Sequence, residues 1–181
     1  MATTISASSR LQVSANYAQQ FTGITDTTSP PNLTKTLTWI TGTGAGKAQV
    51  VMSQLRTLAA SGTETFNINN GSLEDTLGLP LTIAKVKQVF FWLLSTTDDS
   101  VNGTNCTSIK IGDAAFPAFK GVAGFFDGTN PVLRCFNGGW VAFGTPTAGV
   151  AVAAGVSDQI KVVNEDAVNA AAYYVFLIGE N

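Results

Sequence analysis

Apolar residues occur in short clusters along this chain, and the densest cluster lies at residues 81–94. It is rich in the aromatic and β-branched residues that favour strands. A strand alternates its side chains between two faces. Here one face carries Val89, Phe91 and Leu93, and the other carries Phe90, Trp92 and Leu94. Because both faces are apolar, the pattern indicates either a strand covered on both sides or a strand with one face in the core and the other in a subunit contact.

From residue 33 onward the chain alternates over many short stretches, and Gly, Asn, Asp and Pro residues separate them. Such residues form turns, and no window shows a clean helical stripe. We therefore predict an all-β fold, an antiparallel β-sandwich of jelly-roll type, with a single helical turn at residues 72–77. The predicted strands cover residues 33–39, 49–58, 64–68, 81–94, 106–111, 114–120, 132–136, 139–143, 150–153, 159–163 and 171–178.

Residues 1–32 differ from this pattern, because they are rich in Ser, Thr, Ala and Gln and end in a Pro-Pro-Asn break. We predict an extended N-terminal arm here, with one or two short strands, and a β-sandwich domain over residues 33–181. The alternative is a loose tail. The large apolar residues of the arm are spaced too widely to form their own core, so we expect them at an interface: Ile5, Leu11, Val13, Tyr17 and Phe21.

The composition favours assembly with other chains. Charged residues make up 12% of the 181 residues, and hydrophobic residues make up 45%. A monomer with so few charges would leave much of its surface uncharged. The formal net charge of −2 offers no attraction to nucleic acid or to an anionic membrane, so neither is an expected partner. No cationic segment followed by an apolar run marks a signal peptide.

The residues that usually carry catalysis are scarce. Histidine is absent, which removes the commonest general base and a common metal ligand. We predict that Cys106 and Cys135 are buried free thiols, with a disulfide between them as the alternative. The adjacent acidic pairs are predicted to be solvated loop residues, with a calcium loop as the alternative: Glu74–Asp75, Asp98–Asp99 and Glu165–Asp166. We therefore predict no enzyme activity, no metal and no cofactor.

Residues 42–47, Gly-Thr-Gly-Ala-Gly-Lys, invite comparison with a phosphate-binding loop. That motif needs four residues between its first Gly and the Gly-Lys pair, and position 41 is Thr. Ala48 stands where a hydroxyl would hold magnesium, and the next predicted element is a strand rather than a helix. We predict a hairpin turn instead. Nor does any neighbouring residue mark Lys85 or Lys87 as a catalytic base.

Aromatic residues allow one further interpretation. A set of them could form a platform on which sugars stack, as in a carbohydrate-binding module: Trp39, Trp92, Trp140, Phe125 and Phe126. On predicted strands, however, the three tryptophans are better explained as core or interface residues. Phe125 and Phe126 lie in a loop-like stretch beside Asp127-Gly128, which indicates a loop tip that inserts into another surface.

Several short motifs precede the hydrophobic strand: residues 56–61 (Arg-Thr-Leu-Ala-Ala-Ser), 70–73 (Asn-Gly-Ser-Leu), Gly78, and 80–87 (Pro-Leu-Thr-Ile-Ala-Lys-Val-Lys). These motifs resemble those of small virion proteins of tailed bacteriophages. The segments 155–163 and 173–179 are also similar to the end of such chains. The resemblance covers residues 43–179. The chain departs from it in its arm before residue 33 and in the bulky sequence Phe90-Phe91-Trp92, where related chains are more polar.

The resemblance implies a virion structural protein and supplies no catalytic residues. We predict a capsid decoration or cement protein, assembled in the host cytoplasm and resident in the virion. Its partners would be further copies of itself, with a trimer favoured, and the major capsid protein or another virion protein. The expected interface comprises the five arm residues above together with Phe90, Trp92, Leu94, Phe125 and Phe126. A tail or fibre component and a carbohydrate-binding module are the alternatives.

Overall fold

The computed structural model describes residues 6–13, 19–21, 24–26, 33–75, 77–112, 132–145, 147–155 and 158–181, and of residues 6–38 it describes the backbone alone. Within these residues the chain forms strands and loops and no helix, which confirms the all-β prediction there. The strands are β1 (Ser6–Val13), β2 (Gln19–Phe21), β3 (Ile24–Asp26), β4 (Leu33–Thr41), β5 (Lys47–Ala48), β6 (Val50–Leu58), β7 (Thr63–Asn67), β8 (Lys85–Leu93), β9 (Ser108–Ile111), β10 (Leu133–Phe136), β11 (Trp140–Gly144), β12 (Val150–Ala151), β13 (Gln159–Asn164) and β14 (Ala171–Glu180).

Two antiparallel sheets make up most of the fold. The large sheet has the order β11-β8-β14-β6, and β12 pairs with β8 beyond the end of β11. The small sheet has the order β10-β9-β13-β7. Each predicted strand within the described residues is present, whereas the predicted strand at residues 114–120 lies outside them. Strand β8 lies inside the large sheet, between β11 and β14, as its apolar faces indicated.

One hydrophobic core lies between the large and the small sheet, which gives a sandwich-like arrangement. Because side chains alternate, every second residue of the inner strands enters this core. Its central members are at most 1% exposed: Val89, Phe91, Leu93, Val175 and Leu177 from the large sheet, and Ile109, Ile111, Ile160 and Val162 from the small sheet. Cys106 and Cys135 are buried free thiols in the same core, as predicted. Burial raises the pKa of both thiols.

The first strands lie in separate, smaller sheets. Strand β1 pairs antiparallel with β4 along eight residues, from Ser6 opposite Ile40 to Val13 opposite Leu33. Strands β2 and β3 pair antiparallel, so residues 1–32 contain three strands rather than the one or two predicted. Strand β4 therefore pairs with the predicted arm and not with either sheet of the sandwich. By strand pairing the sandwich begins with β6, because β5 also belongs to the smaller sheet with β1 and β4. The domain division at residue 32 stays a prediction.

The turn at residues 42–46 is present, but the hairpin predicted around it is wrong. Strands β4 and β5 run parallel, with Ile40 opposite Lys47 and Thr41 opposite Ala48. A connection of five residues can return a chain into parallel register only through unusual backbone angles, and glycine adopts these at least cost. Gly42, Gly44 and Gly46 indeed have φ angles of 131°, 97° and 68°.

The helical turn predicted at residues 72–77 is also wrong for the part of that segment that the structure describes. The segment forms bends and a tight turn closed by Asp75. The Asp75 carboxylate accepts hydrogen bonds from the N–H groups of Leu77 at 2.8 Å and Leu79 at 2.9 Å. Such a side-chain bond offers the backbone an alternative to helical bonds, and this explains why Asp favours turns.

Candidate interaction surface

The outer face of the large sheet, turned away from the core, carries an aromatic cluster. Strand pairing places Trp140 beside Trp92, Trp92 beside Tyr174, and Tyr174 beside Leu55 in one row across the four strands. The next row contains Ala142, Phe90, Phe176 and Ser53. We call the large apolar residues of these two rows the aromatic face: Leu55, Phe90, Trp92, Trp140, Tyr174 and Phe176.

The rings of the aromatic face contact one another. Phe90 stacks on Trp140 with centroids 6.1 Å apart and meets Phe176 edge-on at 5.6 Å. Trp92 stacks on Tyr174 at 6.2 Å, and Tyr174 lies 6.0 Å from Phe176. These are the separations at which aromatic pairs attract. The four inner rings are half-buried by these contacts, whereas Trp140 is 51% exposed and Leu55 is 40% exposed at the two edges.

The third row of the same outer face is already covered by the chain itself. It consists of Gly144, Gln88, Ile178 and Val51. Trp39, from the end of β4, packs on Ile178 and Val51 together with Ala48 and is 0% exposed. Its indole N–H donates a hydrogen bond to Gln88 at 3.3 Å. The outer face is thus a surface on which apolar groups of the chain already pack at this row.

A buried ion pair lies next to the covered row. Lys87 is 0% exposed, and its Nζ lies 3.0 Å from Oε1 of Glu180, which is 3% exposed. Lys87 also donates to the carbonyls of Gly44 at 3.2 Å and Thr147 at 3.1 Å. Burial acts to raise the pKa of Glu180, but hydrogen bonds from Lys87 and Gly44 and the charges of Lys87 and Lys85 outweigh it, so the pKa lies below its ordinary value.

The Glu180 carboxylate of this ion pair also binds the backbone of the glycine-rich loop at residues 42–46. The N–H of Gly44, which a phosphate loop would direct at its ligand, donates to the Glu180 carboxylate. The chain therefore provides its own anion for the loop. Lys47 begins a strand rather than a helix. The geometry agrees with the sequence argument that residues 42–47 do not form a phosphate site.

Carboxylates of the pair at residues 165–166 stabilise loops through hydrogen bonds and an ion pair. The Asp166 carboxylate accepts bonds from the backbone of Asn169, Val168 and Thr107, and these hydrogen bonds hold its pKa well below the usual range. Glu165 pairs with Arg134 at 2.8 Å, which lowers its pKa. No group of three or more His, Cys, Asp or Glu side chains in the described part of the chain could hold a metal ion.

The pair at residues 98–99 behaves in the same way. Asp98 accepts a hydrogen bond of 2.6 Å from the Ser95 hydroxyl. Asp99 accepts from the backbone of Val101 and from the side chain and backbone of Asn102, and these bonds lower its pKa. Each carboxylate therefore has a local structural role in its loop.

The predicted interface residues separate into four groups. Phe90 and Trp92 lie on the aromatic face, whereas Leu94 is 1% exposed and buried within the chain. The backbone of Leu11 and Val13 lies in β1 and that of Phe21 in β2, and their contacts stay a prediction. Ile5, Tyr17, Phe125 and Phe126 lie outside the described residues. Sequence reasoning missed Leu55, Tyr174 and Phe176, although the alternation in Tyr173-Tyr174-Val175-Phe176 carried the signal.

Fold and surface together define a class: an all-β, sandwich-like protein whose clearest special feature in the described residues is an aromatic sheet face. No helix in those residues is long and apolar enough to cross a membrane. In comparison with known proteins, no protein-family model and no curated protein matches the chain.

Proposed function

We propose that this chain is a non-enzymatic structural protein of a tailed-phage virion, and specifically a capsid decoration or cement protein that stabilises the head through inter-subunit contacts. The observation that supports it is the aromatic face. A solvated sheet normally presents polar residues on its outer side. Here two rows carry four half-buried rings, an exposed tryptophan and an exposed leucine. Contiguous apolar side chains on the solvent side of a sheet are a feature of surfaces that contact another protein.

Within this proposal the sandwich is of jelly-roll type, and residues 1–32 act as an arm. Strand β1 is the edge of its sheet, since β4 occupies only one of its sides and no described strand pairs with the other. An edge strand can add to a sheet of another subunit through its backbone groups. The arm would attach the protein to further copies of itself, with a trimer favoured, and to the major capsid protein or another virion protein.

Deletion of residues 1–32 tests this proposal on particles that lack the protein. The two main sheets contain no residue of this segment, so the truncated protein should keep its strand-type circular dichroism. Each large side chain that the arm buries contributes roughly 1.5–3 kcal/mol before ordering costs. We expect attachment to weaken by at least about tenfold, which corresponds to about 1.4 kcal/mol.

A variant in which a Gly/Ser segment of equal length replaces residues 1–32 is the matched control, because such a segment keeps the length without the apolar side chains. It should attach as weakly as the deletion variant. Unchanged attachment of both variants would place adhesion outside the arm. Failure of the full chain to attach to any particle would contradict the virion role itself.

A tail or fibre component is the alternative within the same class, and imaging of labelled protein on particles separates the two positions. A carbohydrate-binding module is the alternative from another class, and the exposed, stacked Trp140 favours it. Trp39 cannot belong to a sugar platform because it is fully buried. Micromolar binding on a glycan array that is lost in Trp140→Ala would support this second candidate.

A further inference from the structure

We propose that the buried ion pair of Lys87 and Glu180 is a latch that fastens the sheet of strands β1, β4 and β5 to the sandwich. We call this sheet the arm sheet, because β1 lies within the predicted arm. The proposal goes beyond the proposed function, since it concerns a coupling inside one chain and holds whatever the arm contacts. It predicts two states of the arm sheet, one fastened on the large sheet and one released from it.

A β-bulge directs Lys87 toward its carboxylate partner. The pairing of β14 with β8 shifts register at Ile178–Gly179, so that Lys87 has no residue opposite it. A bulge of this kind re-aims the side chains around it. Val86 thereby lies in the core between the two sheets, whereas the Lys87 ammonium lies 3.0 Å from the Glu180 carboxylate. The bulge thus lets an inner strand carry a lysine without placing its charge in the apolar core.

The latch holds the glycine-rich loop through both backbone groups of Gly44. The N–H of Gly44 donates to the Glu180 carboxylate, and its carbonyl accepts from Lys87 at 3.2 Å. Three glycines of this loop have positive φ angles, and glycine loses more conformational freedom on ordering than any other residue. The hydrogen bonds to the ion pair therefore offset a large ordering cost of the loop.

The ordered loop in turn places β5 beside β4. The N–H of Gly42 donates to Ala48 at 3.0 Å, and the N–H of Ile40 donates to Gly46 at 3.1 Å. Strand β5 has only two residues, so its position depends on these bonds. Ala48 is fully buried in the small cluster through which Trp39 of β4 packs on the large sheet. Loss of the loop conformation should therefore displace β5 and expose Trp39.

A second loop closes the latch from the other side. The carbonyl of Thr147, between β11 and β12, accepts from Lys87 at 3.1 Å. Gly149 of this loop lies so close to Lys87 that an added Cβ would be 3.1 Å from Cδ and Cε of the lysine. Lys87 is 0% exposed as a result, and a charge pair shielded from water attracts more strongly than an exposed pair.

A chain with Trp92→Phe and Trp140→Phe tests the proposal, because Trp39 is then its single tryptophan. In this background, Lys87→Met combined with Glu180→Leu removes both charges and leaves no buried charge unpaired, so the sandwich should keep its strand-type circular dichroism. The emission of Trp39 should shift to longer wavelengths and become more sensitive to acrylamide. Hydrogen exchange of residues 40–48 should become at least about tenfold faster, while exchange in β8 and β14 stays unchanged.

Gly44→Pro is a second variant that leaves the ion pair in place. It removes the N–H that binds Glu180, and proline cannot adopt the φ angle of 97° found at this position. It should release Trp39 as the double substitution does, with unchanged exchange in β8 and β14. This variant keeps the proposal testable if the double substitution unfolds the sandwich.

Lys85→Met in the same background is the matched control. It removes a lysine that is 50% exposed and 3.5 Å from Glu180, and it leaves the bonds of Lys87 intact. This variant should keep the emission of Trp39 and the exchange of residues 40–48 at the values of the background chain. Unchanged Trp39 emission in Gly44→Pro, equal release in Lys85→Met, or exchange that rises equally in β8 and β14 would overturn the proposal.

Discussion

The two faces of strand β8 carry residues of the same kind in different surroundings. Phe91 is 0% exposed and packs against the small sheet, with the ring of Tyr173 6.1 Å away. Phe90, the preceding residue, lies on the opposite face, where it is half-buried and contacts the rings of Trp140 and Phe176. Apolar residues on a strand face thus indicate that other groups pack on that face. Only the arrangement of the other strands shows whether those groups belong to the same chain.

The largest expected effect comes from the inner face. Phe91→Ala should lower the free energy of unfolding by about 3–5 kcal/mol, because the close-packed core cannot collapse around the cavity. Phe90→Ala is the matched control and should cost clearly less, since solvent already reaches its ring. Urea denaturation measures both values. Equal losses would mean that the two faces do not differ in the way described.

Two lysines near the start of β8 share the carboxylate of Glu180 and can be compared directly. Lys87 is 0% exposed and Lys85 is 50% exposed, and both lie within 3.5 Å of Glu180. Lys87→Met should cost about 3–5 kcal/mol, because it leaves the Glu180 charge buried without its main partner. Lys85→Met should cost at most about 1 kcal/mol, as exposed pairs do. Denaturation curves that rank the two in the opposite order would contradict the role of Lys87.

The outer face should contribute little to the stability of the single chain. Trp140→Ala removes a stacked ring from Phe90, a contact of about 0.5–1.5 kcal/mol. Leu79→Ala, at another exposed site, serves as control and should change stability by less. The measurement is urea denaturation at a low protein concentration, at which self-association does not contribute. A loss above about 3 kcal/mol would assign Trp140 to the core.

The smallest effect concerns a charge in a loop. Glu165→Gln removes the exposed ion pair with Arg134 and should cost about 0.2–1 kcal/mol at pH 7. The folded state lowers the pKa of Glu165 below its ordinary value of 4.5. The stabilisation is therefore fully present above that value and is lost as the pH falls through the lowered pKa.

Denaturation at pH 7 and at pH 2.5 should thus show the difference between Glu165→Gln and the wild type shrinking in acid. Glu74→Gln, at an exposed loop glutamate, is the control and should show little difference at either pH. A difference that grows in acid would reverse the sign of the argument.

Local pattern was sufficient to locate most strands. The alternation of Glu64-Thr65-Phe66-Asn67 and the apolar density before Leu93 depend only on neighbours in the sequence, and turns follow from Gly, Asn and Asp. The parallel pairing of β5 was missed, because it depends on three positive φ angles and not on a pattern. The turn at Asp75 was missed because acidic residues also begin helices.

The site was predictable only in part for a related reason. Phe90 and Trp92 were found because they are adjacent in one dense stretch. Trp140 and Tyr174 join them only through strand pairing across 48 and 82 residues of chain. The pairing of Lys87 with Glu180 spans 93 residues and likewise leaves no local signal.

The position of β14 in the large sheet has a consequence for how the protein folds. Strand β14 lies between β8 and β6, yet it follows both in the chain by about eighty residues or more. During synthesis, the apolar strands β6 and β8 leave the ribosome long before the strand that joins them, so their edges stay open in the meantime. Contacts so distant in sequence form slowly. We therefore expect folding to be limited by the insertion of β14, and nascent chains that lack it to be targets for chaperones.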